Sequence, residues 1–321
     1  MGNRAQGAGL LRGWGAGIVG FLCMATGCGG PAFLEPEAGG VAFKLQGEYA
    51  APEAPVAAQV VALGDSRFRA VFLSGGLPGA GYDGSEPSSV EALRDGEQIV
   101  FAGPYDATLS EGNLKGTTPD GAAFSLPRVE RASPTLGAAP PAGATVLFDG
   151  KGAGGFDGEL DARGLLKAGA SSTEAFGDIH LHLEFRTPFM PQANGQARGN
   201  SGVYLQGRYE IQVLDSFGLA GADNECGGIY EVAAPAVNMA FPPLAWQTYD
   251  IDFVAARFDA AGSKLANARV TVRHNGVTIH QDQEIPEPTG LGNAEDASPG
   301  TLDLQDHWNP VFYRNVWLEK R

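Results

Sequence analysis

The amino-acid sequence predicts an all-β protein built from two domains. Glycine and proline are frequent, at 47 and 21 of 321 residues, and such a composition is typical of a chain with many short strands and turns. In the second half, apolar and polar residues alternate with the period of two that a half-buried strand requires. The pair Asn275-Gly276 is a strong signal for a tight hairpin. Because the chain exceeds the usual size of one domain, we expect a small antiparallel β domain followed by a two-sheet sandwich.

The first predicted domain covers residues 30–131. Its β-prone runs are short, and turn signals such as Gly64-Asp65 and Asp95-Gly96 separate them. This spacing predicts a small antiparallel domain in the form of a partial barrel, and no residue pattern in it indicates chemistry. The predicted strands are Val41–Tyr49, Ala57–Leu63, Arg67–Leu73 and Gln98–Ala102.

The second predicted domain covers residues 145–321 and follows a stiff linker, rich in proline and glycine, at residues 132–144. Its strands place apolar side chains on one face and polar side chains on the other. Seven or more such strands without helical periodicity predict a sandwich of two antiparallel sheets. The predicted strands are His180–Arg186, Gly202–Gln206, Tyr209–Leu214, Thr248–Val254, Arg269–His274, Val277–Gln281, Thr301–Gln305 and Val311–Glu319. The side chains expected in the core are Leu181, Leu183, Phe185, Ile211 and Val213.

The charge of the chain narrows the classes of partner. The formal net charge is -15. A protein that binds nucleic acids or anionic membrane surfaces needs clustered Lys and Arg on its surface, so such partners are not expected. A neutral ligand such as a sugar, or a cation, is more compatible with the excess of acidic residues. We therefore expect a carbohydrate partner, no nucleic acid, and contact with a membrane only through a lipid anchor.

Residues 1–27 have the features of an export signal: a basic start, a short apolar run and small residues at its end. The run is too short to span a bilayer stably. Its end, Ala25-Thr26-Gly27-Cys28, resembles a bacterial lipobox, in which the cysteine becomes the lipidated first residue. We expect a periplasmic or outer-envelope lipoprotein anchored at Cys28, with ordinary cleavage near Gly27 and secretion as the alternative. Cys226 then has no partner, so no disulfide is expected.

Polar side chains along the predicted strands form the set of candidate site residues. Carboxylates beside an arginine and several amides can hydrogen-bond sugar hydroxyls and supply an acid or a base. On alternation alone, a solvated outer face without function is the stronger interpretation. The string Asn200-Ser201-Gly202 favours a site, because glycine within a strand often marks the close approach of a ligand or another backbone. The candidates are Glu184, Arg186, Asn200, Tyr204, Glu210, Gln212, Asp215, Tyr230 and His307.

Six strings in this half resemble, in order and spacing, the successive signatures of the 3-keto-disaccharide hydrolase family. They are LFDGK at 147–151, NSGVYLQGRYEIQVLDS at 200–216, AWQTYDIDF at 245–253, NGV at 275–277, LQDH at 304–307 and RNVW at 314–317. The resemblance implies a concanavalin-like jelly roll that cleaves glycosides whose C3 hydroxyl has been oxidised to a ketone. The chain departs from the family at Trp308, where a glycine is usual, and we expect Trp308 to narrow the cleft or to stack on the substrate.

The chemistry that the resemblance implies needs a base at C2, a group that holds the enolate oxygen, and an acid at the leaving oxygen. We expect Glu210 or Glu184 as the base and His307 as the acid. Arg186 or a divalent cation would hold the enolate oxygen. The sequence offers three candidate cation sites: His180 with His182, the group of Asp303, Asp306 and His307 beside Glu210, and the acidic loop Gly221–Glu225. The residues expected to bind substrate are Arg186, Asn200, Tyr204, Gln212, Asp215, Tyr230 and Trp308.

These side chains are expected in one pocket. Residues two apart in a strand point to the same face, so Glu184 lies beside Arg186, and Glu210 lies beside Gln212. We predict that these four share the concave face of one sheet with Asn200 and His307. The rival function is a non-catalytic carbohydrate-binding module of a cell-envelope protein, because the jelly roll also serves lectins.

Overall fold

The computed structural model describes residues 30–321, so the expected signal peptide and Cys28 lie outside the described residues. In the described part, a short helix and a barrel precede a sandwich of two antiparallel sheets. The all-β prediction is confirmed. No helix among these residues is both long enough and apolar enough to cross a bilayer.

Eight antiparallel strands close into a barrel, in which each strand pairs with the next and the eighth returns to the first. Closure leaves no sheet edge unpaired, so the barrel is complete where the sequence indicated only a partial one. Alternate side chains such as Ile99, Leu109 and Leu126 fill its interior. The strands are β1 (Gly47–Tyr49), β2 (Val56–Ala62), β3 (Arg67–Ser74), β4 (Ser88–Asp95), β5 (Gln98–Phe101), β6 (Asp106–Ser110), β7 (Asn113–Thr117) and β8 (Ala123–Val129).

Helix α1, Pro36–Leu45, precedes the barrel. The predicted strand from Val41 is therefore wrong over its first five residues. Proline suits the first position of a helix because its fixed φ is helical and its missing N–H is not needed there. The apolar side chains of Val41, Phe43 and Leu45 pack on the barrel core, and this packing outweighs their local preference for a strand.

The sandwich contains fourteen strands and a single 3-10 turn, Gly195–Ala197. One sheet has five strands in the order β10-β12-β21-β14-β15. The other has seven, in the order β11-β22-β13-β16-β19-β20 with β9 beside β22, and β17 pairs only with β18. The strands are β9 (Thr145–Phe148), β10 (Phe156–Asp157), β11 (Leu166–Lys167), β12 (Ala170–Phe176), β13 (Ile179–Arg186), β14 (Ser201–Leu205), β15 (Tyr209–Val213), β16 (Gln247–Val254), β17 (Arg257–Phe258), β18 (Lys264–Ala266), β19 (Ala268–His274), β20 (Val277–Ile285), β21 (Gly300–Leu304) and β22 (Phe312–Lys320).

The core between the two sheets confirms the predicted alternation. All five side chains expected there are fully buried in one cluster, namely Leu181, Leu183, Phe185, Ile211 and Val213. The hairpin between β19 and β20 turns at Asn275 and Gly276, whose φ angles of 50° and 79° are the positive values that a two-residue type I′ turn needs.

The linker is packed rather than free. Residues 133–138, called here the connecting segment, lie on the outer face of the seven-stranded sheet, the face turned away from the core. Ser133 Oγ and Thr248 Oγ1 are 2.6 Å apart, and the Gly137 N–H donates to Glu184 Oε1 at 2.6 Å. Where the barrel meets this segment, Arg131 pairs with the buried Glu48 of β1 at 2.5 Å. The barrel and the sandwich are therefore joined by specific polar contacts.

Candidate active site

Glu210 lies on the outer face of the five-stranded sheet. It belongs to β15, where Tyr209, Ile211 and Val213 face the core. The pleat therefore turns the side chains between them, Glu210 and Gln212, outward. Strand β14 is the antiparallel neighbour of β15, as the short connection between them predicts, and sets Tyr204 opposite Glu210. The Tyr204 hydroxyl donates a hydrogen bond to Glu210 Oε2 at 2.7 Å.

Gly202 makes room for this carboxylate. A Cβ atom at Gly202 would lie 2.2 Å from Glu210 Oε1. Any other residue at this position would therefore displace the Glu210 carboxylate. The glycine in the Asn200-Ser201-Gly202 string therefore marks a close approach, as predicted, but the approaching group is the Glu210 side chain.

The environment of Glu210 raises the pKa of its carboxyl into the neutral range. The residue is only 2% exposed. Burial raises the pKa of Glu210 to about 7, the nearby charge of Glu231 adds to the increase, and the hydrogen bond from Tyr204 opposes it. A carboxyl that titrates near the working pH is suited to act as a general base or acid.

One wall of the site is a loop between β20 and β21. The Glu210 N–H donates to Thr289 Oγ1 at 2.7 Å, and the Leu291 N–H donates to the Tyr204 hydroxyl oxygen at 3.2 Å. Between them, a Cβ atom at Gly290 would be 3.0 Å from Glu210 Oε2. Arg208 holds the far part of the loop through Asp296 at 2.6 Å. The sequence analysis did not identify these loop residues, because an irregular segment carries no periodicity that would place it on a sheet.

The opposite edge of the site is lined by side-chain amides. The Asn200 Nδ2 group donates to Gln196 Oε1 at 2.9 Å, and Gln212 Nε2 donates to the same oxygen at 3.3 Å. Gln305 Nε2 donates to the Tyr204 hydroxyl oxygen at 3.4 Å. Buried polar atoms normally have partners, yet three amide oxygens here have none among the described residues. They are Asn200 Oδ1, Gln212 Oε1 and Gln305 Oε1. Such acceptors are suited to sugar hydroxyls.

His307 and Trp308 lie in a loop whose two ends are bound to β14. The Gln305 N–H donates to the Gly202 carbonyl at 2.8 Å, and the Asn200 N–H donates to Asn309 Oδ1 at 2.8 Å. The ring centroids of His307 and Trp308 are 5.5 Å apart, and Trp308 is 83% exposed. Both side chains therefore belong to a loop at the rim of the amide edge.

Tyr230 completes the set around Glu210. Its N–H donates to the Glu210 carbonyl at 3.2 Å, and its ring edge is 3.4 Å from the position of a Cβ atom on Gly290. The predicted site residues that the structure brings together on this sheet are therefore Asn200, Tyr204, Glu210, Gln212 and Tyr230, with His307 and Trp308 in the rim loop.

Comparison with known proteins agrees with this architecture. Residues 143–319 match the model of a family described as the 3-keto-alpha-glucoside-1,2-lyase-like domain. The chain belongs to this family. The lyase-like domain begins after the barrel, at the end of the linker.

Solved structures resemble the protein over a similar share of its length. A crystal structure called a "putative glycosyl hydrolase" from Parabacteroides distasonis ATCC 8503 is 30% identical, with a TM-score of 0.52, and covers 56% of this chain and 85% of its own. Two further crystal structures with the same description and organism are 19% and 18% identical, with TM-scores of 0.39 and 0.41. Each covers 56% of this chain, and 99% and 94% of its own. No curated protein matches the chain.

Glu184 and Arg186 are not part of the Glu210 cluster, and the prediction of one pocket for all six residues is wrong in this respect. They belong to β13, which lies between β22 and β16 in the other sheet of the lyase-like domain. Alternation assigns a side chain to a face of its strand, but it does not say which of the two sheets contains that strand. The Arg186 guanidinium donates to the Leu34 carbonyl at 2.7 Å, beside helix α1.

Glu184 is fully paired. It accepts hydrogen bonds from Gly137 N at 2.6 Å, Arg314 Nε at 2.6 Å and Asn315 Nδ2 at 2.9 Å. Burial alone would raise the pKa of Glu184, but these bonds and the His182 imidazole, whose Nε2 lies 3.8 Å from Oε1, lower it to about 2. A cavity of about 430 Å³ opens beside Glu184. Because this carboxylate stays ionised and is held by an arginine, it is a poor base, and we assign the cavity no catalytic role.

Asp215 also has a structural partner. Its side chain accepts a bond from Arg198 Nε at 2.7 Å and is buried, with 4% exposure. Cys226 is likewise buried, and its sulfur lies 3.3 Å from the Tyr249 hydroxyl. Burial raises the pKa of Cys226 to about 11, so the thiol is not a nucleophile near neutral pH.

None of the three candidate cation sites is assembled among residues 30–321. No group of three or more His, Cys, Asp or Glu side chains in that part of the chain could hold a metal ion. His180 and His182 bind neighbouring carboxylates instead, through Nδ1 contacts of 2.9 Å to Asp252 and 2.7 Å to Asp250. We therefore assign no catalytic step to a cation.

Proposed function

We propose that this protein is an exported enzyme that cleaves 3-keto-glycosides or 3-keto-disaccharides by elimination across C1 and C2, followed by hydration. Its family and its 30% identical structural neighbour support action on a glycoside. The observation that carries the proposal is Glu210, a buried carboxyl with a pKa of about 7, bonded to one tyrosine and surrounded by amides with free oxygens.

The ketone at C3 acidifies the hydrogen on C2. In the proposed first step the Glu210 carboxylate takes this proton, and the electron pair of the C2–H bond enters the enolate. The enolate then forms the C1–C2 double bond as the bond from C1 to the leaving oxygen breaks. The leaving oxygen takes a proton from an acid. Water then adds its hydroxyl to C1 and a proton to C2, so that the net reaction is hydrolysis.

Each step has a candidate group at the site. Tyr204 orients the Glu210 carboxylate through its 2.7 Å bond. Gln305 Nε2 makes only a long bond of 3.4 Å in the free site, so it can turn to the enolate oxygen at small cost. His307 is the proposed acid, because an imidazolium can donate a proton to the leaving oxygen and His307 belongs to the rim loop next to Gln305. Arg186 lies on the other sheet and donates to the Leu34 carbonyl before helix α1, so we do not propose it as the oxyanion group.

The test is a turnover assay of the full chain on 3-keto-trehalose and on an aryl 3-keto-glucoside, run in deuterated water. We expect release of the leaving group and incorporation of deuterium at C2, because the base removes that hydrogen. The matched glycosides with an unoxidised C3 hydroxyl should give neither. Release without deuterium at C2 would contradict elimination, and binding without turnover would support the carbohydrate-binding module.

A chelator arm of the same assay tests for a divalent cation. The prediction that a cation takes part stands if turnover is lost in the chelator and restored by added metal, and it fails if turnover is unchanged.

Export by lipidation is part of the proposal and has its own test. The protein should partition into detergent when expressed with residues 1–27, because one lipidated cysteine is its anchor. Cys28→Ala should move it to the aqueous phase. Unchanged detergent partitioning of the variant would contradict anchoring at Cys28.

A further inference from the structure

A buried side chain next to the candidate active site, Arg198, contacts the barrel. Arg198 belongs to the lyase-like domain, is 6% exposed, and lies between the end of barrel strand β2 and the loop after β15. Its guanidinium has three fixed acceptors. Nε donates to Asp215 Oδ2 at 2.7 Å, and Nη1 is shared between the Ala62 carbonyl at 3.2 Å and the Ala193 carbonyl at 3.4 Å. The Ala62 carbonyl is the barrel's contribution.

The segment that carries Arg198 also carries part of the site. Gln196 precedes it by two residues and Asn200 follows it by two. Gln196 Oε1 accepts the bonds from Asn200 and Gln212 that orient both amides. The Asp215 N–H donates to the Arg198 carbonyl at 3.1 Å, so the backbone at Arg198 is held as well as its side chain. A shift at Arg198 would therefore displace the amides at the edge of the site.

The barrel packs closely on both sides of this contact. A Cβ atom at Gly64, just after β2, would lie 3.0 Å from Gln192 Cγ. A Cβ atom at Gly218 would lie 2.4 Å from the Val61 side chain of β2. Two glycines at one boundary allow backbone and side chains to meet without a gap. The end of β2 therefore packs directly against the lyase-like domain on both sides of Arg198.

We propose that the barrel is a positioning domain for the active site, acting through the contact of Arg198 with the Ala62 carbonyl. It holds the segment from Gln196 to Asn200 in the conformation that presents the amide edge. Arg198 is a positioning residue and does not touch the substrate. The catalytic part of the inference rests on the proposed function, whereas its structural part does not.

The test compares one substitution at two arginines of the full chain. Arg198→Lys keeps a positive charge near Asp215, but a single ammonium cannot reproduce the three directions of the guanidinium. Arg131→Lys is the matched control. Arg131 also binds a barrel carboxylate and a barrel carbonyl, Glu48 at 2.5 Å and Pro78 at 2.6 Å. None of its hydrogen bonds or ion pairs involves residues 196–200.

The first measurement is amide hydrogen exchange over residues 194–200 without substrate. Exchange should be about tenfold faster in Arg198→Lys, because the segment loses its anchor, and unchanged in Arg131→Lys. In the turnover assay kcat/KM should fall by roughly ten- to a hundredfold in Arg198→Lys, as expected for a misplaced site, and stay within about twofold in the control. Melting temperatures of both variants show whether each remains folded.

Two results would overturn the proposal: unchanged exchange over residues 194–200 in a folded Arg198→Lys protein, or equal losses in both variants. If Arg198→Lys does not fold, Asp215→Asn weakens the same anchor with little change of shape. It should speed exchange in the same peptides, and unchanged exchange would overturn the proposal. If the wild-type protein turns over no 3-keto-glycoside, the proposed function fails, while the exchange comparison still decides the role of the barrel.

Discussion

Glu184 and Glu210 lie on the outer faces of opposite sheets of one sandwich, and their surroundings give them opposite properties. Both lie on outer faces and both are buried, with exposures of 1% and 2%. Glu184 receives bonds from an arginine, an amide and a backbone N–H, and the pKa of its carboxyl is about 2. Glu210 receives one bond from Tyr204, and its pKa is about 7. Burial alone therefore does not make a carboxyl a base; the number and charge of its partners decide.

The largest expected effect is on turnover in Glu210→Gln. The amide cannot take the C2 proton, so kcat should fall by about a thousandfold or more. The fold should persist, because Tyr204 can donate to the amide oxygen. At pH 8 the variant should be more stable than the wild type by up to about 3 kcal/mol, since the buried charge is gone. Steady-state rates and urea unfolding measure both quantities. A destabilised variant at pH 8, or one with near wild-type turnover, would contradict this account of Glu210.

Glu184→Gln should show the reverse pattern. Loss of the charge leaves the Arg314 guanidinium without its partner, and the unfolding free energy at pH 7 should fall by about 2 kcal/mol. Turnover of the folded protein should stay within about twofold of the wild type, because Glu184 lies on the other sheet. If turnover fell as far as in Glu210→Gln, the separation of the two sheets into a structural and a catalytic face would be wrong.

The pH dependence of stability separates the two carboxyls further. The folded pKa of Glu210 lies above the ordinary value of 4.5, so its ionisation destabilises the fold as pH rises from about 4.5 to about 7. The folded pKa of Glu184 lies below 4.5, so its stabilisation is complete above that pH and is lost as pH falls toward about 2.

We therefore expect two trends in the unfolding free energies measured from pH 3 to pH 8. Above pH 5 the wild type should become progressively less stable than Glu210→Gln. From pH 3 to pH 5 it should become progressively more stable than Glu184→Gln. In addition, kcat/KM should rise with pH through about 7, because the free enzyme needs Glu210 ionised. Parallel curves for the three proteins would show that neither carboxyl has a shifted pKa.

Trp308→Gly should have the smallest effect. Trp308 has a φ of 57°, in the left-handed region that glycine adopts readily, so the change should alter stability by less than about 1 kcal/mol. If the exposed ring stacks on the substrate, KM should rise several-fold and kcat should change little. The measurement is a comparison of KM and kcat on 3-keto-trehalose. An unchanged KM would remove Trp308 from substrate binding.

The comparison also shows which parts of the molecule the sequence could predict. The pleat has a strict period of two, so Leu183 and Ile211 could be assigned to the core and Glu184 and Glu210 to the outer faces. The short turn after Gln206 correctly paired β14 with β15. The resemblance of the strings around Asn200 and Glu210 indicated the family.

The remaining features depend on contacts between residues far apart in the chain. Glu184 is buried because the connecting segment crosses its sheet, and Glu210 because the loop at Thr289 covers it. Neither segment has a periodic pattern that would reveal its position. The same is true of Gln196 and Gln305, whose amides complete the site although no strand pattern distinguished them from ordinary polar residues.

The connecting segment also determines where the folding unit of the sandwich begins. The family match begins at residue 143, yet the sheet of that domain is covered by residues 133–138. Asn315 and Trp317 also donate to the carbonyl of Ala138 in this segment. Cutting the protein at the family boundary would remove the Gly137 N–H from Glu184 and leave the Asn315 and Trp317 donors without this acceptor. The folding unit of the sandwich therefore begins before residue 143 and includes the connecting segment.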